Sequence, residues 1–69
     1  MTKTMLKTRN NEYLERTEFI FNEGKFVSCN VILTKEKSRA LIAGKTEAKE
    51  RMNVARKYGN IELFEEIVK

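Results

Sequence analysis

The sequence predicts an α+β fold: a small antiparallel three-stranded sheet (β-β-β), then an amphipathic helix and a short C-terminal helix. Three observations carry this expectation. The run FVSCNVILT alternates, with Val27, Cys29, Val31 and Leu33 directed to one side and Phe26, Ser28, Asn30 and Ile32 to the other. Residues 46 to 58 repeat with a helical period, placing Ala48, Met52 and Ala55 on one stripe with Val54 and Tyr58 at its border. The last residues, IELFEEIVK, form an apolar arc of Ile61, Leu63, Phe64, Ile67 and Val68 opposite Glu62, Glu65 and Glu66 when wound as a helix.

Residues 1 to 11 hold Lys3, Lys7 and Arg9 and no acid, which predicts a basic N-terminal arm or a strand added to a sheet edge, outside a single domain over 12 to 69. The first strand of that domain is EYLERTEFIFN, whose aromatic and β-branched residues favour extended backbone and whose Tyr13, Glu15, Thr17, Phe19 and Phe21 share a face. Asn22-Glu23-Gly24-Lys25 carries hairpin chemistry, with Gly24 free to take a positive φ, and leads into the second strand, where Cys29 faces the core. Arg39 to Ala43 fit a third strand; a helix capped by Thr34 and stopped by Gly44 fits the same letters, and the strand is preferred because two strands alone support a helix poorly. Thr46 is the expected N-cap of the long helix, with Glu47 in its first turn, Gly59 ends it, and Asn60 caps the last helix. That last helix either closes the core, the preferred reading, or forms a dimer interface through Ile61, Phe64, Ile67 and Val68.

A chain of 69 residues buries only about 60% of the surface its unfolded form exposes, so its core is thin. One cysteine precludes an intrachain disulfide, and the absence of His and Asp removes the usual ligands of a structural zinc. With no long apolar run and no signal-like N-terminus, the expectation is a cytoplasmic protein without a membrane partner. Residues 1 to 60 hold 13 basic against 7 acidic side chains, a net +6 that favours polyanionic partners.

Catalysis finds no support. Gly44-Lys45-Thr46 ends like a P-loop, but the glycine needed five residues earlier is Arg39, and no Asp is present for a Walker-B role. Cys29 has no histidine to activate it. No cofactor or metal is expected. The pattern that remains is basic: measured from Ala48 at about 100° per residue, Arg56, Lys49, Asn53 and Lys57 fall near 80°, 100°, 140° and 180°, away from the core stripe. Lys45 and Thr46 stand at the helix start, where first-turn amides favour an anion. Glu47 and Arg51 stand four apart in the order that favours an ion pair on the same helix.

Ala-Gly-Lys-Thr-Glu-Ala-Lys, residues 43 to 49, entered from strands, resembles the C-terminal half of double-stranded-RNA-binding domains, where a last strand runs into a phosphate-clamping helix. The arrangement is also similar to the three-stranded-sheet-plus-helix arm-type DNA-binding domains of phage integrases. The resemblance, over residues 26 to 58, implies phosphate contacts for Lys45 and Lys49 and sheet packing for Ala48. Thr46 and Glu47 occupy the positions of that motif's paired lysines.

The function expected from these features is binding to the phosphate backbone of duplex DNA or RNA through Lys45, Thr46, Lys49, Asn53, Arg56 and Lys57, with Lys37 and Arg39 from the preceding turn. A duplex is expected over a single strand because Tyr13, Phe19, Phe21 and Phe26, the rings that could stack on bases, are expected in the core. The alternative is a protein-interaction module, an inhibitor or adaptor of the kind phages and mobile elements encode, acting as a homodimer or on a protein target through its C-terminal helix or an edge strand.

Overall fold

The computed structural model describes residues 3 to 68. Five strands and one α-helix follow in the order β1 (Lys3–Lys7), β2 (Tyr13–Asn22), β3 (Lys25–Thr34), a 3-10 turn (Lys37–Arg39), β4 (Ala43–Gly44), α1 (Lys45–Gly59) and β5 (Phe64–Ile67). The fold is α+β with an antiparallel sheet, as the sequence predicts, but the sheet has five strands and is followed by no second helix among the described residues.

The segment read as an arm or edge strand is the inner strand of the sheet. Lys7 pairs with both Tyr13 and Phe64, and Thr4 with both Ala43 and Ile67. One edge of β1 is therefore shared by β2 and β4, and the other is taken by β5. Thr4, Met5 and Leu6 are all buried, because neighbours cover both faces of the strand. The buried Thr4 hydroxyl donates to the Ala43 carbonyl at 3.1 Å. Thr8 then shapes the turn into β2: its Oγ1 accepts from the Asn10 and Glu12 amides at 3.2 and 3.3 Å, and Asn11 takes a positive φ of 62°.

β2 and β3 form the long hairpin. Glu23 and Gly24, at φ 53° and 78°, are the two central residues of a turn closed by the Asn22–Lys25 pair, the geometry that matches the twist of the strands it joins. Two register shifts alter the expected alternation. Between Leu14 and Arg16 the ladder skips Glu15, so Leu14 enters the core opposite Leu33 while Thr17 and Phe19 continue that face. Between Ile20 and Phe21 it skips Val27, so Phe26 stands opposite Phe21 on the face of Cys29, and Val27 turns out to solvent.

The expected third strand is mostly not a strand. Lys37–Arg39 make a 3-10 turn, the Leu41 amide donates to the Leu14 carbonyl, and only Ala43–Gly44 pair with β1. α1 begins directly after it, at Lys45, two residues earlier than a Thr46 cap would place it, with Gly44 as N-cap and no side-chain cap, so Thr46 lies inside the first turn. The helix lays Ala48 and Ala55 on β1, β3 and β4. With Leu6, Leu14, Ala43 and Leu63 they form the core, against which Val31, Leu33, Leu41, Met52 and Ile61 pack. Gly59 is the last helical residue, and a Cβ there would lie 2.9 Å from Cγ2 of Val31, so glycine lets helix and sheet meet closely. Asn60 does not begin a helix: in the left-handed region (φ 51°, ψ 39°) it closes α1 and turns the chain back.

Residues 61 to 67 correct the expected C-terminal helix. Leu63 is buried in the core and Phe64–Ile67 pair with the free edge of β1. Leu63 is taken into the core and β1 offers a row of backbone groups to pair, and these tertiary demands outweigh the helical period of a short segment. In the strand, Phe64 and Ile67 point to opposite faces, so the apolar arc does not exist.

Candidate nucleic-acid interface

The residues expected to contact phosphate separate into two groups. Lys37 and Arg39 are engaged by carboxylates of the sheet. Lys37 Nζ lies 3.2 Å from Glu66, which also meets Lys7 at 3.2 Å and accepts from the Tyr13 hydroxyl at 3.5 Å. Arg39 lies 3.3 Å from Glu15, which Arg16 also contacts. Hydrogen bonds from Lys37 and then Lys7 hold the Glu66 carboxyl below the usual carboxylate range, and the bond to Glu66 raises Lys37 above the usual lysine value.

The second group stands along α1. Lys45, Thr46, Lys49, Asn53, Arg56 and Lys57 are exposed, and none of the basic ones has a carboxylate partner among the described residues. Lys45, Lys49 and Arg56 line one flank, successive members about 6 and about 10 Å apart along the axis. Glu47 does not neutralise them, because it meets Arg51 on the opposite flank at 3.4 Å, the pairing expected from their spacing. Glu50 is the acid on the outward side of the helix, and it too has no cation within ion-pair distance among the described residues.

The opposite flank carries what the sequence reading assigned to the core. Phe19, Phe21 and Phe26 are 45%, 62% and 41% exposed and Tyr58 37%. Phe26 is their centre, with ring centroids 5.9 Å from Phe19, 5.9 Å from Phe21 and 5.0 Å from Tyr58, at interplanar angles of 58°, 66° and 85°. The Arg51 guanidinium lies 5.9 Å from the Phe19 centroid and donates to the Thr17 hydroxyl, and the Lys57 ammonium lies 5.3 Å from the Tyr58 centroid. A signal for this surface was present in element lengths. Ten-residue strands extend about 33 Å and a 15-residue helix about 22 Å, so the helix cannot cover the hairpin to its tip. The long dimension of the molecule, 42 Å against 26 and 18 Å, records that overhang.

The residues expected at a partner interface are scattered. Ile61 packs against the core, Phe64 lies beneath Arg9 at 5.8 Å, Ile67 is exposed on the other face of β5, and Val68 donates its amide to the Lys3 carbonyl. No helix of the described residues is long and apolar enough to cross a membrane.

Fold and surface together define a small α+β domain with one ion-paired and one unpaired basic cluster. No protein-family model, curated protein or solved structure matches the chain.

Proposed function

We propose that the protein binds nucleic acid by its phosphate backbone, through Lys45, Lys49 and Arg56 on one flank of α1, with Asn53 and Lys57 on its outward side. The observation that carries this reading is the clustering of unpaired cations on one helix: carboxylates engage Lys7, Arg9, Arg16, Lys37, Arg39 and Arg51, whereas Lys45, Lys49, Arg56 and Lys57 of α1 have none among the described residues, and the other unpaired cations, Lys3, Lys25 and Lys35, lie apart in the sequence. Uncommitted cations on a rigid helix cost little to bring to a phosphate, because no existing pair must be broken. The uncapped first-turn amides beside Lys45 add donors of the same sign.

Fluorescence anisotropy of labelled oligonucleotides at two salt concentrations tests the reading. If about five phosphates are neutralised, log K falls with log salt at a slope of roughly −4 to −5 on duplex DNA and nearer −3.5 on a single strand. Affinity that does not change with salt overturns it. The reason to prefer a duplex weakens in this structure, since it rested on the rings being in the core.

A second reading, a protein-interaction module, keeps one supporting observation. β3 is an edge strand with no charged residue between Phe26 and Thr34, and such edges accept a partner strand. A homodimer through a C-terminal helix is not part of it, because those residues form β5.

A further inference from the structure

We infer that the ring-lined end of the β2–β3 hairpin stacks unpaired bases, so that the nucleic acid met by α1 is single-stranded or carries an unpaired segment. This rests on the phosphate-binding reading of α1 and adds a ligand class to it. Four of the six aromatic residues of the chain gather at this end and are exposed. The bulge at Val27 is what brings Phe26 among them. Their rings meet at 58° to 85°, tilted or edge to face and never parallel; Arg51 and Lys57 lie over the Phe19 and Tyr58 rings, and Phe21 at the tip presents most of its surface.

Charge selects the occupant. Two cations border the rings: Arg51, shared with Glu47, beside Phe19, and Lys57, with no carboxylate partner among the described residues, beside Tyr58; Lys25 flanks the turn. The nearby acids are occupied or turned away: Glu47 is held by Arg51, and Glu18 pairs with Arg16 on the opposite face of the sheet. Glu23, at the turn itself, and Glu50, unpaired on the outward side of α1, are the exceptions. An apolar protein surface laid on these rings would have to desolvate the cations, whereas a nucleotide strand offers planar rings and anions at alternate positions. Lys57 also belongs to the basic helix, so a strand whose phosphates follow Lys49 and Arg56 is led across α1 to Tyr58 and Phe26. A duplex keeps its bases inside and would leave the rings unused.

The test measures anisotropy of three labelled probes of equal length: a thymidine single strand, the same backbone with abasic sugars, and a blunt duplex. The wild-type protein should bind the thymidine strand roughly 5- to 100-fold more tightly than the abasic strand. Phe21→Ala and, separately, Tyr58→Ala should erase that ratio while leaving affinity for the abasic strand unchanged; both positions lie outside the core, and circular dichroism melting checks that the variants fold. Equal wild-type affinity for the two strands, with Lys49→Glu/Arg56→Glu still abolishing both, overturns stacking and leaves the phosphate reading standing. No binding to any probe overturns both. A wild-type dimer that Phe21→Ala dissociates, without discrimination between strands, overturns stacking and gives the ring face to a second copy.

Discussion

The two basic clusters of this protein use the same residue types to different ends. Lys37 and Arg39 sit in a turn whose backbone bonds to its own neighbours, and their charges reach carboxylates on β5 and β2. They tie a segment with little regular structure to the sheet. Lys49 and Arg56 stand on a helix that backbone bonds and the Ala48/Ala55 contact already hold, so their charges contribute nothing visible to the fold. Basic residues near a turn and on a helix look alike as letters. What separates them is whether an acid distant in sequence arrives beside them, and Glu66 is 29 residues from Lys37 in the chain numbering.

The largest expected effect breaks the comparison on the helix side. Lys49→Glu/Arg56→Glu should weaken nucleic-acid binding on the order of 100-fold and flatten the salt slope by about 2, with an unchanged melting temperature. Gly59→Ala attacks the platform beneath both helix flanks; with Val31 in the way it should destabilise the fold by about 1–3 kcal/mol in a urea titration. Lys37→Glu/Arg39→Glu should do the reverse of the first variant, changing binding less than about threefold while lowering the melting temperature, since each new carboxylate faces an existing one.

The smallest effect concerns pH. Because Glu66 has a lowered pKa in the fold, its contribution is present above the ordinary carboxylate value and is lost as pH falls through the lowered one. The raised Lys37 contributes below the ordinary lysine value and loses that contribution as pH rises through the raised one. Glu66→Gln should therefore lower the melting temperature slightly at neutral pH and leave it unchanged in acid, below the range where Glu66 ionises. An equal loss at both pH values would assign the effect to packing.

Local pattern identified the hairpin, its turn, the inward Cys29 and the Ala48/Met52/Ala55 stripe, because each is decided by residues adjacent in the sequence. The inner position of β1, weighed only as an arm or an edge strand, and the whole of β5 were not legible. KTMLK and FEEI have weak or helix-like periods on their own and become strands only by pairing with each other across almost the whole chain. Of the candidate interface, the shared flank of Lys45, Lys49 and Arg56 was readable from helical spacing, whereas no local pattern showed that Lys37 and Arg39 would meet Glu66 and Glu15. The rings were misassigned for a geometric reason. Aromatic residues in a small domain are expected inside, yet here two bulges and a hairpin longer than its helix leave three phenylalanines beyond the core.

The inner position of β1 also bears on synthesis. Its residues leave the ribosome ahead of every other strand, but the strand that completes its second edge lies at residues 64 to 67. Between those moments the nascent chain carries Met5 and Leu6 without their final cover. The β2–β3 hairpin can close early from local contacts, whereas the sheet as a whole must wait for translation to pass β5. A ribosome stalled before that point would display an open strand edge.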